Sequence, residues 1–143
     1  MEFYAKTFDE LTLSQLYEII RSRAKVFLLE QKIICLDADG VDYDSLHCFF
    51  FDGKNVTAYL RAFRTAEDTV SVGRVLTLVH GKGEGKLLME KSMAAIKKHF
   101  NCKKITLHAQ KHAQGFYEKL GFKTVSGEFL EEGVVHVTME IDI

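Results

Sequence analysis

A mixed α/β sheet is the fold class expected for this chain, and three observations predict it. β-rich runs alternate with helical stripes, glycines sit where a run of one kind gives way to the other, and no linker, repeat or low-complexity tract divides the chain. At 143 residues, one domain (1–143) with a sizeable core is expected. The predicted order is β-α-β-β-β-α-β-α-β-β.

Glu2 to Phe8 alternates enough to be an edge strand. Thr12 and Gln15 are spaced as a capping box, and Leu13, Leu16, Ile20, Ala24 and Phe27 recur at helical spacing behind them. The acidic stretch LDADGVDYDS breaks that pattern and reads as a loop. LHCFFFDGKNVTAYLRAFR gives two strands turning at Asp52-Gly53, and TVSVGRVLTLV gives a third that runs into the stretch HGKGEGKLL. From Gly85 a second helix has Leu88, Ser92, Ala95 and Ile96 on one face and Lys86, Glu90, Lys97 and Lys98 on the other. KKITLHA is a strand, and Ala113, Phe116, Tyr117 and Leu120 mark a third helix. Gly121 stands at its C-terminal cap, with Phe122 placed to fold back on the last turn. KTVSGEFLEEGVVHVTMEI closes the chain as two strands turning near Glu132-Gly133.

The charges almost cancel, with 19 Lys and Arg against 20 Asp and Glu, so composition suggests neither nucleic-acid binding nor membrane attraction. No apolar run approaches the roughly 20 residues that span a bilayer. Three scattered cysteines, Cys35, Cys48 and Cys102, without a signal-like N-terminus fit a reduced, cytoplasmic protein. Histidines and cysteines show no zinc spacing, no GxSxG nucleophile elbow is present, and the aspartates from Asp37 to Asp44 fail as a calcium loop because Gly40 comes at the fourth position. No metal is expected.

A strand that ends in glycines and opens a helix aims unpaired N–H groups and the positive end of the helix dipole outward, which makes a cradle for an anion. As a bare pattern, Gly81-Lys82-Gly83-Glu84-Gly85 serves a ligand-free turn equally well. The spacing matches neither a Walker A loop nor a dinucleotide fingerprint.

Downstream, AQKHAQGFYEKLGF resembles the late motif of the GNAT superfamily of N-acetyltransferases, and HGKGEG is similar to that family's Q/R-x-x-G-x-G/A pyrophosphate loop. RAKVFLLEQ, DADGVD, AYLRAFR and VGRV extend the resemblance to the ElaA-type branch, over most of the chain. The resemblance implies a GNAT acyl-CoA N-acyltransferase fold and an enzyme that moves acetyl from acetyl-coenzyme A to a primary amine, on a small molecule or a protein. With no cysteine near either motif, direct transfer in a ternary complex is expected. It implies cofactor contacts from His80, Gly81, Lys82, Gly83, Glu84, Gly85 and Lys86, with His80 and Glu84 departing from the family pattern. Backbone pairing of Leu76, Thr77 and Leu78 with the pantetheine arm is also implied, as are contacts from Gln110 and Phe116, and Tyr117 as the acid that protonates the leaving thiolate. On spacing alone Tyr117 is as well a core residue.

The acceptor amine must be neutral to attack, so a base is needed. Candidates are Glu30, Asp37, Asp39, Asp42, His47 and His108. Glu30, at the end of the first helix, is expected as base or amine-binding carboxylate, although it also reads as a solvated helix-end charge. Asp39, Asp42, His47 and Arg74 are expected to contact the acceptor. The aspartates serve equally as a polar loop, and Arg61 and Arg74 either bind an acidic acceptor or brace those aspartates. Two alternatives stand beside this reading: an acyltransferase like the acyl-homoserine-lactone synthases, whose helix start RSRAKVF resembles, and a non-catalytic acyl-coenzyme A sensor. The C-terminal strands are free to pair across a homodimer.

Overall fold

In the computed structural model, which describes residues 1–143, eleven regular elements follow the predicted order with one addition. They are β1 (Glu2–Thr7), α1 (Leu13–Arg23), β2 (Leu46–Phe51), β3 (Val56–Ala66), β4 (Thr69–Thr77), α2 (Glu84–Phe100), β5 (Lys104–Gln110), α3 (Gln114–Lys119), β6 (Lys123–Thr124), β7 (Phe129–Glu131) and β8 (Val134–Asp142). The sheet runs β1-β2-β3-β4-β5-β8-β6, with β7 also on β8. The added strand arises where the Ser126 hydroxyl accepts the Thr138 N–H at 2.8 Å in place of a backbone carbonyl, splitting the expected penultimate strand into β6 and β7.

Every pairing is antiparallel except β4 with β5. That parallel ladder holds only from Thr69↔Lys104 to Val72↔Leu107, after which the strands part. A bulge lies just beyond: between Arg61↔Gly73 and Tyr59↔Leu76, β4 carries one residue more than β3. Arg74, in the bulge, has φ +53°, a left-handed conformation that a side chain with a Cβ rarely takes.

One face of the sheet packs on α2 and α3, and the larger core lies there, with Leu88, Met89, Ser92 and Ile96 of α2 buried as the helical stripe predicts and Ala95 half-buried. The opposite face carries a smaller core under α1, of Ile19, Val26, Phe49, Val56, Tyr59 and Leu76. The capping box forms, with Thr12 accepting from the Gln15 N–H. The buried stripe of α1, however, is Gln15, Ile19, Ser22 and Arg23, while Leu13 is exposed. The helix turns on its axis relative to the predicted stripe because Arg23 must face the acidic loop. From Ala24 to Glu30 it widens into π-helix, in which Gln31 N–H reaches the Val26 carbonyl. No helix is long and apolar enough to cross a membrane.

Candidate active site

Where β4 and β5 part, a cavity of about 320 Å³ opens. Its walls come from β4 (Ser71 to Val75), β5 (Leu107, His108, Gln110), the π-helical end of α1 (Phe27), the following loop (Gln31 to Asp37) and the β7–β8 hairpin. Tyr117 reaches it from α3.

The glycine stretch lies at the exit of β4. Gly81 and Gly83 have φ +77° and +75°, and a Cβ at either would meet no atom within 4 Å, so left-handed backbone and open space coincide there. Gly83 caps α2 with no side-chain hydrogen bond, leaving the first-turn N–H groups of Glu84, Gly85 and Lys86 directed outward. A Cβ on Gly85 would touch Phe116 at 3.5 Å and Thr77 at 3.6 Å, so α3 and the β4 exit crowd against the start of α2. These residues suit a diphosphate: backbone donors, a helix dipole and no side chain in the way.

The strand backbone refines one expectation. Leu78 N–H bonds the Thr57 carbonyl at 2.8 Å, and the alternation of an antiparallel ladder then turns Leu76 and Leu78 toward β3 and Thr77 toward the gap. Of the three, Thr77 alone offers backbone groups to a ligand in the gap. The Leu76 side chain is buried in the core under α1.

Tyr117 is buried, and burial alone pushes its phenol well above the ordinary range. Its ring stands edge-on to Phe116 and Phe122, and the Phe122 N–H closes the helix on the Tyr117 carbonyl at 3.1 Å, as the Gly121 cap predicts. Gln110 also lines the cavity, with its amide tied to Gln31 at 2.8 Å and to His112 at 2.6 Å.

The acceptor expectations need correcting. Glu30 does not line the cavity; its carboxylate takes the His80 Nε2–H at 2.5 Å, which fastens the glycine loop to the end of the first helix. Asp42 and His47 are buried beneath the floor in a structural network. Arg23, fully buried, bridges Asp42 at 2.6 Å and Asp37 at 3.0 Å, and Arg61 bridges Asp39 at 2.8 Å and Asp42 at 3.1 Å. His47 donates from Nε2 to the Asp42 carbonyl and accepts from the Tyr59 hydroxyl. Burial pushes the His47 pKa down and holds the ring neutral. The Arg61 hydrogen bond keeps Asp39 well below the usual carboxylate range. For Asp42, burial opposes ionisation, but hydrogen bonds and charge from Arg23 and Arg61 outweigh it and lower the pKa.

Asp39 and Arg74 meet each other at 3.5 Å, and Arg74 grips Asp37 through Nε at 3.0 Å, so the acidic loop pins the strained bulge. Arg61, Arg74 and Asp37 still show part of their surface to the cavity, whereas Asp39, Asp42 and His47 do not line it. The arginines therefore brace the aspartates, one of the two roles that the residue types allowed.

Two features escaped the sequence reading. Cys35, far from both motifs in sequence and exposed, lines the cavity. Cys48 is buried, with its thiol pushed up to about 12. Glu131 and His136, from the closing hairpin, also line the cavity, and Glu131 meets the His108 ring at 2.8 Å; only the turn at Glu132-Gly133 hinted that a hairpin would fold there.

Residues 35–143 match the model of an acetyltransferase (GNAT) domain. The chain is 34% identical over 141 residues to the protein ElaA of Escherichia coli, covering 94% of this chain and 92% of that one. An acyl-CoA N-acyltransferase from Pseudomonas aeruginosa superposes with a TM-score of 0.90 at 31% identity, covering 98% of this chain and 99% of that one. An aminoglycoside 6'-N-acetyltransferase complexed with coenzyme A shares the fold at 13% identity, with a TM-score of 0.77 over 99% and 97% of the two chains. By family match and by fold, the chain belongs to the GNAT acetyltransferases, an ElaA-like member of that family.

Proposed function

We propose that this protein transfers acetyl from acetyl-coenzyme A to a primary amine by direct attack in a ternary complex. The observation that carries the reading is the uncapped start of α2 behind two left-handed glycines, at the mouth of a gap whose cavity reaches Tyr117. Gly81 to Lys86 would hold the diphosphate, Thr77 the pantetheine arm, and Phe116 and Gln110 the walls of the channel. A neighbour of the same fold is described in complex with coenzyme A, which supports this donor. Bound there, the cofactor supplies an activated thioester.

The chain's own residues do the rest. Tyr117 keeps its proton at neutral pH and holds it for the departing thiolate. The open end of the cavity would admit an amine. Arg74, fixed by Asp37, holds the β4 bulge against the reacting centre.

Thermal unfolding with acetyl-coenzyme A tests the reading first. At about 100 times its dissociation constant the ligand should stabilise by about 2.7 kcal/mol. Coenzyme A should do the same, and ATP and inorganic pyrophosphate much less. Absence of any shift with acetyl-coenzyme A would remove the proposed donor.

A further inference from the structure

The cavity that Tyr117 lines also carries a cluster of titratable side chains from β5 and the closing hairpin. His108 of β5 gives its Nδ1–H to Glu131 Oε1 at 2.8 Å, and His136 of β8 stands with Nε2 3.5 Å from Glu131 Oε2. Phe129 is wedged between the two imidazoles, edge-on to His108 at 5.1 Å and stacked on His136 at 6.0 Å. His136 is anchored in turn by Nδ1–H to the Val134 carbonyl at 2.7 Å. His108, Glu131 and His136 all line the cavity that Tyr117 lines.

This arrangement fixes a tautomer. A carboxylate only accepts, so the His108 proton sits on Nδ1 and the Nε2 lone pair is left free. With His108 about half exposed, that lone pair can take a proton from a ligand and return it to water. The Glu131 bond turns Nε2 away from the carboxylate, and Phe129 packs edge-on to the ring at 5.1 Å.

We propose that His108 is the base that deprotonates the acceptor ammonium, with Glu131 as its positioning residue. The inference rests on the transferase reading above. The proton balance fits: an ammonium and a thioester give an amide, a thiol and one proton, and His108 Nε2 carries that proton to solvent. Glu30, bonded to His80 away from the cavity, is not needed for this step.

The test has two arms. Long-range nitrogen–proton NMR of the histidine rings in the ligand-free protein should find His108 as the Nδ1–H tautomer, and that preference should be lost in Glu131→Ala, which leaves the Nδ1–H no acceptor. A resting Nε2–H tautomer in the wild type would overturn the assignment, whether or not an acceptor is known.

The second arm measures thiol release from acetyl-coenzyme A with n-propylamine, an ammonium at neutral pH, and with methoxyamine, already neutral there. His108→Gln should lose about 10² with n-propylamine, and at least roughly tenfold less with methoxyamine. Equal losses on both amines would show that His108 does not remove the proton. Acetyl-coenzyme A should still raise the unfolding temperature of His108→Gln. Failure of the wild type to bind it would sink the transferase reading, a different result from equal losses in the variant.

Discussion

A buried phenol is a reluctant anion, and under the proposed mechanism that reluctance is what Tyr117 would contribute: the raised pKa would keep the proton in place until a thiolate arrived beside it. Tyr117→Phe keeps the ring between Phe116 and Phe122 and deletes only the hydroxyl. We expect turnover to fall by roughly 10² with acetyl-coenzyme A binding little changed, read by steady-state thiol release alongside a binding titration. Cys35 poses the opposite question, because a free thiol on the cavity wall is where an acetyl-enzyme would form if there were one. Direct transfer predicts that Cys35→Ser retains turnover and that initial-rate lines for the two substrates intersect; parallel lines abolished by the substitution would count against it. The place of Tyr117 on the cavity wall was legible because its motif is local, a few residues with fixed spacing. Cys35 and Glu131 were not, since nothing near them in sequence says which wall they will join.

At the scale of elements, helices and strands followed from periodicity because each is decided by short-range pattern and burial on one face. The departures share a non-local cause. Arg23 lies in an amphipathic helix at a position that pattern leaves wet, yet it is fully buried because two aspartates from a loop 14 and 19 residues away meet it. The bulge at Arg74 likewise depends on Asp37, 37 residues distant. Removing one member of such a buried network strands the others in a poorly solvated site. Asp42→Ala leaves Arg23 and Arg61 without their shared carboxylate and should cost about 3–5 kcal/mol, measured by urea unfolding. A loss under about 1 kcal/mol would mean that water or Asp37 and Asp39 compensate fully.

For the whole molecule, the same network sets the response to acid. Asp39 and Asp42 have folded pKa values below their unfolded ones, so their stabilisation is complete above about pH 4 and drains away as pH falls further. His47 is also depressed, and for a histidine this means that the unfolded chain takes up the proton first. Its contribution is complete above about pH 6.5 and declines below it. Urea midpoints measured from neutral to strongly acidic pH should therefore fall in two stages, and His47→Gln should erase the upper stage while leaving the lower. Beyond pH, the short β4–β5 ladder means that two half-sheets are stitched together by four residue pairs, with the open length of the seam at the exit end. A ligand laid along that opening acts as a missing strand. Under the proposed function the acyl donor would then also be a structural part of the protein, filling the centre of the sheet for as long as it is bound.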